Sequence, residues 1–369
     1  MKILHTILSF LLNLIPKSDR IFLFASFPDY TDNSYAMYRY LKGKYGNRCK
    51  YIWVFSDKES LERYKGVKAY RKYSLPSFYY FARAKYVFFT HGLYSFLDIR
   101  SKKVVNLWHG MPLKVIGRMD TNHGGNDPTR ADYLIATSPF FREVMAKSFK
   151  NIPIENVLLT GQPRNDMLFE RCDFFKKRGI DTTEFRNIGV WLPTYRKSII
   201  GDIREDGVFN SNGISFLEME ELDRLDKFLQ ASSSLLVIKL HPMDALQNVE
   251  FCSYSNIIVV KPQELDEHLY PLLGASDYLL TDYSSVWIDY CILKRPIGFV
   301  MNDIEEYRNS RGLTIENLKD ELPGRIIDSY EKLTEFIAEP PEFDSKHLAR
   351  YNSYCDNKSA ERLARCLGI

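Results

Sequence analysis

Short apolar runs alternate regularly with amphipathic stretches from residue 17 onward, and this alternation is the feature that most constrains the fold. Buried strands of a parallel sheet have this apolar character, and amphipathic stretches between them are typical of crossover helices. The runs form two series, separated by a charge-rich stretch at 171–187. The pattern predicts strands at 21–24, 51–55, 86–89, 104–107, 133–135 and 157–159, then at 188–192, 235–240, 257–260, 278–280 and 297–300.

Helices are predicted between several of these strands, at 34–44, 76–84 and 138–149, with Asn33, Ser74 and Ser138 as N-caps. Two successive strand and helix series predict an α/β protein with two doubly wound, Rossmann-like domains. The predicted boundaries are an N-terminal amphipathic helix at 1–16, a first domain at 17–170, a second domain at 188–343 and a C-terminal helical segment at 344–369, with the linker at 171–187.

Composition excludes several classes of protein. The 369 residues suffice for two cores, and 45% apolar with 26% charged residues argues against disorder and against a multi-span membrane protein. The excess of 50 basic over 47 acidic residues gives a net charge of +3, too small to indicate a nucleic-acid partner. Six cysteines without a C-x-x-C pair suggest neither a zinc site nor a disulfide framework, and favour a reducing cytosol.

The N-terminal apolar run lies between Lys2 and Lys17. It is shorter than the ~20 residues that a membrane-spanning helix needs. It ends in Ile15-Pro16-Lys17 rather than in the small residues of a signal-peptide cleavage site. Two interpretations remain: a helix that packs on the fold, or one that lies in a membrane interface.

Histidines follow predicted strands in both domains. His109, in Trp108-His109-Gly110, follows the strand at 104–107, and His241 follows 235–240 directly after Lys239 and Leu240. Ligands of parallel sheets bind beyond the carboxyl ends of the strands, and an imidazole there suits proton transfer. A purely structural histidine is the alternative. Thr90-His91-Gly92 repeats the pattern as a weaker candidate.

Phosphate-binding chemistry is suggested at a third strand end, where Thr281, Asp282, Ser284 and Ser285 precede a predicted helix. Free backbone N–H groups and hydroxyls at a helix start favour an anion, although capping of the helix by Ser284 or Asp282 explains the same residues. Arg164 and Arg196 occupy loops, where a guanidinium group can bind phosphate in bidentate geometry or be solvated. No metal-hydrolase, EF-hand, Walker A or dinucleotide-binding motif is present, so we expect no tightly bound metal and no cofactor.

Ordered motifs connect these candidates across residues 22–305. They are Ser34-Tyr35 after Asp32-Asn33, Trp108-His109-Gly110-x-Pro112-Leu113-Lys114, Gly161-x-Pro163-Arg164-Asn165-Asp166, Pro193-Thr194-x-Arg196, Lys239-Leu240-His241-Pro242 and Thr281-Asp282-Tyr283-Ser284-Ser285. In this order and spacing the chain resembles the CDP-glycerol glycerophosphotransferases, which build teichoic acids and related polyol-phosphate polymers. Met111 and Tyr195 depart from the residues commoner in that family.

The resemblance implies a glycosyltransferase-B (GT-B) type fold, with two Rossmann-like domains facing each other across a cleft. It implies transfer of glycerol phosphate or ribitol phosphate from a CDP-activated donor to a hydroxyl of a lipid-linked saccharide, with release of CMP, by a peripheral protein at the cytoplasmic face of the membrane. The expected catalytic residues are His109 and His241. The expected donor-phosphate residues are Lys239, Arg196, Thr281, Asp282, Ser284 and Ser285, and the acceptor or supporting candidates are Lys114, Arg164, Asn165 and Asp166.

Two other functions fit the same residues. One is a glycosyltransferase of the same architecture that uses a sugar nucleotide. The other is a non-catalytic, membrane-associated scaffold, although the intact set of polar residues at the strand ends argues against it.

Overall fold

The structure, a computed structural model, describes residues 2–120, 125, 127, 129–194, 213–215, 217–241, 253–261, 268–301 and 312–369. The chain divides into two compact units. The first unit contains Met1–Met111, Ile116–Met167 and Asp356–Ile369, and the second contains Pro112–Val115 and Leu168–Cys355.

Helices follow most strands of both units, as the amphipathic stretches predict. Their bounds are α1 (Lys2–Asn13), α2 (Asp32–Tyr45), α3 (Lys58–Arg63), α4 (Leu75–Arg83), α5 (Pro139–Ser148), α6 (Phe174–Lys177), α7 (Met219–Ala231), α8 (Leu269–Gly274), α9 (Val286–Tyr290), α10 (Leu318–Glu321), α11 (Tyr330–Ala338), α12 (Leu348–Tyr351) and α13 (Ser359–Cys366). Short 3-10 turns cover Gly46–Arg48, Gly117–Met119, Ile154–Asn156, Pro163–Phe169, Thr182–Glu184 and Cys291–Leu293.

The first unit is built on a parallel sheet with strand order β3-β2-β1-β4-β5-β6-β7. Its core consists of aromatic and aliphatic side chains on both faces of the central strands, with Phe24 and Trp53 fully buried. The strands are β1 (Ser18–Ala25), β2 (Lys50–Phe55), β3 (Ala69–Arg71), β4 (Ala84–Phe89), β5 (Lys103–Asn106), β6 (Tyr133–Ala136) and β7 (Val157–Leu159).

The second unit has a parallel sheet with strand order β12-β11-β8-β13-β14-β15 and a small antiparallel hairpin, β9-β10. When the strands of each large sheet are renumbered along the chain without the hairpin, the second sheet has the order 3-2-1-4-5-6. The first sheet has the same order with a seventh strand at its end, so both have the Rossmann order. The strands are β8 (Asn187–Leu192), β9 (Gly213–Ile214), β10 (Leu217–Glu218), β11 (Ser234–Lys239), β12 (Ile257–Val260), β13 (Tyr278–Thr281), β14 (Ile297–Val300) and β15 (Arg325–Ile327).

Every predicted strand is present, while the edge strands β3 and β15 and the hairpin were not predicted. The predicted caps Ser74 and Ser138 are confirmed, because their side chains accept hydrogen bonds from Ser77 N and Phe141 N. The cap predicted at Asn33 is wrong. Thr31 is the N-cap of α2, and Asn33 lies inside the helix with a fully buried side chain.

The C-terminal segment, which the sequence presents as one helical piece from 344 onward, is divided between the units. Helix α12 belongs to the second unit and α13 to the first. Leu363 and Ala364 on α13 are fully buried in the core of the first unit, against β1 and its neighbours. The last helix of the chain therefore packs against the sheet of the first unit.

The register of the second sheet depends on a close approach at Gly189. This residue pairs with Tyr278 across β8 and β13, and a Cβ atom added to it would lie 2.2 Å from the Tyr278 ring. Since Tyr278 is fully buried, its ring has little room to move.

We expect Gly189→Ala to lower the free energy of unfolding by about 1–3 kcal/mol, because the added methyl group overpacks the sheet. Gly43→Ala is the matched control. Nothing lies within 4 Å of the Cβ that it adds to α2, and the gain in helix propensity should raise stability by up to about 1 kcal/mol. Urea unfolding followed by circular dichroism measures both, and equal stability of the two variants would contradict this account.

Candidate active site

Polar residues of the first unit cluster beyond the carboxyl ends of β1, β4 and β5, which are adjacent in the sheet. The loop after β1 leads to Asp32 and Asn33, β4 leads to Thr90 and His91, and β5 leads to Trp108 and His109. The boundary between β1 and β4 is the point where the strand order reverses, and ligands of doubly wound sheets bind at this point.

The buried amide of Asn33 connects the loops around this edge. Its Nδ2 donates to Leu107 O at 3.2 Å, Trp108 O at 3.1 Å and Gln162 Oε1 at 3.2 Å. Its Oδ1 accepts from Arg164 N at 3.0 Å. One side chain near the start of α2 thereby fixes both the loop that carries His109 and the loop that carries Arg164.

Arg164, a predicted acceptor or supporting residue, is buried and forms an ion pair with Asp32 at 2.9 Å. Its guanidinium group therefore has a carboxylate partner within the fold. Its positive charge still influences the site, because it lowers the pKa of both His91 and His109.

The His109 imidazole lies between two other rings. The Trp108 indole stacks on it with centroids 4.2 Å apart, and the His91 imidazole stacks on it at 4.0 Å with only 11° between the ring planes. Trp108 takes a left-handed backbone conformation (φ 51°), and its N–H is bound by Asn106 Oδ1 at 2.9 Å. The turn after β5 thus holds the Trp108 and His109 side chains stacked on each other.

The protonation state of His109 follows from its surroundings. Nδ1 lies 3.4 Å from the carbonyl oxygen of Thr90. A carbonyl only accepts, so Nδ1 carries the proton and Nε2 keeps its lone pair. Burial lowers the pKa of His109 to about 4, Arg164 lowers it further, and the bond to Thr90 opposes the decrease. At neutral pH the ring is an uncharged base.

Two other predicted residues of the first unit have structural partners. Asp166 accepts hydrogen bonds from Ser359 N at 2.8 Å and Ala360 N at 2.9 Å, so it holds the start of α13. Burial raises its pKa to about 6, an effect that these bonds oppose. Asn165 is buried, and its backbone N–H donates to Gln162 O at 2.9 Å. Asp166 therefore supports the fold, and the assignment of both residues as acceptor or supporting residues stays a prediction.

In the second unit, Asp282 and Thr281 connect the ends of β8 and β13. The Asp282 carboxylate accepts from the backbone N–H of Thr194 at 2.9 Å and from its hydroxyl group. Thr281 Oγ1 donates to Leu192 O at 3.1 Å. Both side chains are buried and position the loop after β8, and their assignment to the donor phosphates stays a prediction.

Ser284 and Ser285 are half-buried at the start of α9. Ser285 makes no side-chain capping hydrogen bond, and Ser284 Oγ accepts from Val286 N only at 3.5 Å. The alternative that Ser284 or Asp282 caps this helix therefore has little support, because Ser285 is the N-cap residue and the bond to Ser284 is long. Because α9 has only five residues, its dipole is weak, and the prediction of an anion site here depends mainly on the two hydroxyl groups.

Lys239 and His241 lie at the end of β11, which neighbours β8 in the sheet. His241 is exposed, whereas Lys239 is half-buried with its Nζ 3.4 Å from Leu240 O. Burial lowers the pKa of Lys239 to about 8, so most of it is a cation at neutral pH. The second unit therefore places His241, Lys239, Thr194 and the two serines at the carboxyl ends of three adjacent strands.

The remaining predicted residues fall elsewhere. Arg196 lies outside the described residues. Lys114 belongs to a short segment of the second unit, where it forms an isolated antiparallel bridge with Leu313. Among the residues that the structure describes, no group of histidine, cysteine and acidic side chains is arranged to hold a metal ion. Within the same described ranges, no helix has the length and apolar character needed to cross a bilayer.

Sequence reasoning missed Asn33 and Thr90 as site residues and gave His91 little weight. A signal for His91 and Thr90 was available, because Thr90-His91-Gly92 follows a predicted strand in the same way as Trp108-His109-Gly110. No local signal identifies Asn33, since its partners lie 74 to 131 residues away along the chain.

Two Rossmann-like units, each with polar residues at the carboxyl ends of its strands, give the chain a fold of the GT-B type. Comparison with known proteins gives the family. The family described as CDP-glycerol:poly(glycerophosphate) glycerophosphotransferase matches residues 7–368, and the chain belongs to it. It is therefore a transferase of the CDP-glycerol-dependent type, in the group of teichoic acid polymerases and primases.

Curated relatives match over nearly the whole chain. A teichoic acid poly(glycerol phosphate) polymerase of Bacillus spizizenii is 28% identical over 95% of this chain and 92% of its own length. A teichoic acid glycerol-phosphate transferase of Staphylococcus aureus is 26% identical over 97% of this chain and 95% of its own length. The solved structure of the wall teichoic acid polymerase TagF covers 100% of this chain and 95% of its own with a TM-score of 0.74, and at 21% identity it shows the same fold.

We expect Asn33→Asp to destabilise the first unit by about 3 kcal/mol or more, because it removes the donors to three buried acceptors and adds a buried charge. Asn47→Asp, at an exposed position, is the matched control. Urea unfolding measures the difference. A variant at position 33 that is as stable as the control would show that the amide does not hold the loops together.

Proposed function

We propose that this enzyme transfers glycerol phosphate from CDP-glycerol to a hydroxyl group at the end of a membrane lipid-linked acceptor and releases CMP. Family membership supports the donor class. The two relatives that match over nearly their full lengths are named for glycerol phosphate. A ribitol-phosphate polymerase of Staphylococcus aureus matches 80% of this chain and 53% of its own length, so CDP-ribitol is the second donor to test.

The geometry of His109 is the observation that carries the proposal. Two rings stack on its imidazole, and Thr90 O binds Nδ1, which leaves the Nε2 edge as the place where a proton can be taken up. A positioned neutral imidazole is the usual general base for a hydroxyl group. We assign His109 the role of base toward the acceptor alcohol.

The reaction that follows is an in-line displacement. The acceptor oxygen attacks the β-phosphorus of the donor as its proton passes to His109 Nε2. The bond between the β-phosphorus and the oxygen of the leaving CMP breaks, and CMP takes the electron pair. Catalysis of such transfers depends on positioning and on stabilisation of charge on the phosphoryl oxygens.

The second unit supplies groups for the donor phosphates. We assign His241 a catalytic role in stabilising this charge, and we assign donor-phosphate contacts to Lys239, Ser284 and Ser285. The family resemblance adds Arg196 to the donor residues. Asp282 and Thr281 contribute indirectly, because they fix Thr194 and the end of β8.

Helix α1 supplies a surface for a membrane. One side of it is tied to the first unit, since Asn13 Nδ2 donates to Asp98 O at 2.7 Å and Leu12 is buried in the core. The other side is apolar and between 52% and 78% exposed. This side, here called the α1 apolar face, consists of Ile3, Leu4, Ile7, Phe10 and Leu11, with Leu14 after the helix.

An apolar face that is exposed at helical spacing is typical of a helix lying in a bilayer interface. A lipid-linked acceptor requires the enzyme to work at such a surface. We therefore propose that the α1 apolar face holds the protein at the cytoplasmic face of the membrane. One side of the helix then packs on the fold and the other lies in the membrane interface, so both interpretations of the N-terminal run apply.

Removing the base tests the reaction. We expect His109→Asn to lower kcat by about 10²- to 10⁴-fold, as for loss of a general base. His347→Gln, on the second unit, is the control and should be near normal. The assay measures CMP release with CDP-glycerol, CDP-ribitol and UDP-sugars side by side, and nucleotide release from UDP-sugars alone would overturn the proposed donor.

The pH dependence has a defined sign. A base acts in its deprotonated form, and the pKa of His109 is about 4, so this group should leave kcat unchanged from pH 8 down to about pH 5. The acid limb that it causes should begin only near pH 4, rather than near the ordinary histidine value of about 6.5. An acid limb centred near 6.5 that disappears in His109→Asn would contradict the assigned environment.

Membrane binding is tested by replacing three exposed residues, Leu4, Phe10 and Leu14, with glutamine. We expect binding to anionic phospholipid vesicles to weaken by about 10²-fold or more, because each apolar side chain gains about 1.5–3 kcal/mol when buried. Ile154→Gln with Phe169→Gln, which alters exposed apolar residues elsewhere, is the control. Co-sedimentation at low and high salt measures binding, and unchanged binding of the triple variant would rule out the α1 apolar face.

A further inference from the structure

His91 has no part in the reaction derived so far, yet it lies in contact with the proposed base. Its ring is nearly parallel to that of His109, with centroids 4.0 Å apart. Phe27 contacts the His91 ring edge-on, with centroids 5.7 Å apart. The His91 residue is partly exposed to solvent, so a ligand can reach it.

Thr90 binds both imidazoles, through different atoms. Its carbonyl oxygen lies 3.4 Å from His109 Nδ1, and its hydroxyl oxygen lies 2.9 Å from His91 Nδ1. The same hydroxyl oxygen accepts from Phe27 N at 3.4 Å. Because Thr90 is fully buried, its hydroxyl proton needs an acceptor, and among the residues that the structure describes His91 Nδ1 lies within hydrogen-bond distance.

These contacts assign opposite tautomers to the two rings. His109 is protonated on Nδ1 and has a lone pair on Nε2. His91 accepts at Nδ1 and therefore carries its proton on Nε2. Both Nδ1 atoms face Thr90 and the rings are nearly parallel, so both Nε2 atoms lie on the far side of the stack from Thr90.

Both rings are uncharged at neutral pH. Burial, with a smaller contribution from the neighbouring His109, lowers the pKa of His91 to about 3. The stack therefore offers a proton acceptor and a hydrogen-bond donor side by side, without a charge on either.

We propose that His91 is a specificity-determining residue for the acceptor: its Nε2–H donates to the hydroxyl oxygen on the carbon next to the one that carries the attacking hydroxyl. The acceptor end would then be a vicinal diol, with one oxygen at His109 and its neighbour at His91. This inference rests on the proposed function, and it names the chemical group of the acceptor that the site recognises.

The spacing of the stack fits this class of acceptor. Oxygens on adjacent carbons lie closer together than the two ring centres, so two hydrogen bonds of ~2.8 Å can converge on them from neighbouring rings. A site built to bind a hydroxyl group rejects an analogue that lacks it, because the site's own polar group then loses its partner. A glycerol-phosphate chain end has such a diol, whereas a chain end built on propane-1,3-diol has the attacking hydroxyl but no neighbour.

The test compares these two acceptors with His91→Phe. Phenylalanine keeps an aromatic face against His109 and removes the N–H donor. We expect the wild-type enzyme to prefer the diol acceptor by about 10-fold or more in kcat/KM, and His91→Phe to lose most of this preference by slowing only on the diol. His5→Phe is the control, because His5 also stacks on an aromatic ring of the first unit, Phe96 at 4.6 Å.

Each outcome decides the question. Equal losses on both acceptors would mean that His91 only supports the fold, and no loss on either would mean that it does not contact the acceptor. Each of these results overturns the inference and leaves the proposed function standing. No CMP release by the wild-type enzyme with any CDP-polyol would overturn the proposed function, and the inference with it. Circular dichroism and thermal unfolding of His91→Phe establish that the variant is folded.

Discussion

The buried amide of Asn33 is the interaction on which the candidate site of the first unit depends. A buried amide must have all its hydrogen bonds satisfied, and here its partners are supplied by two loops that are remote in sequence. The loop that carries His109 and the loop that carries Arg164 can therefore take only the conformations that meet this side chain. The orientation of the proposed base is a consequence of packing at the start of α2.

The second unit uses a comparable device at the same edge of its sheet. The Asp282 carboxylate binds both the N–H and the hydroxyl group of Thr194, and so connects two adjacent strand ends. Asp166 in the first unit binds the start of α13 in a similar way. Polar residues that look like ligand contacts in the sequence can thus be structural: Asp282 is buried, Asp166 is half-buried, and each fixes a neighbouring segment. His241, Lys239, Ser284 and Ser285 are half-buried or exposed, and they stay predicted substrate contacts.

The strands and several caps could be predicted because their signals are local. An apolar run of strand length indicates a strand, and a serine shortly before a proline indicates a helix start, in almost any fold. The short edge strands β3 and β15 escaped prediction because each has three residues and includes an arginine. His109 could be singled out for its place after a strand. Its contact with His91 and its tautomer could not be predicted, because both depend on the residues that follow the neighbouring strand β4.

The sequence by itself determined the α/β class, the two strand series, the family and the residue types at the strand ends, since these follow from periodicity and from ordered motifs. Tertiary structure decided which of those residues are scaffold and which are accessible, and it brought His91 against His109. It also assigned α13 to the first unit. The physical reason is that burial and hydrogen-bond satisfaction depend on all neighbours of a group, and in a parallel sheet those neighbours come from segments far apart in the chain.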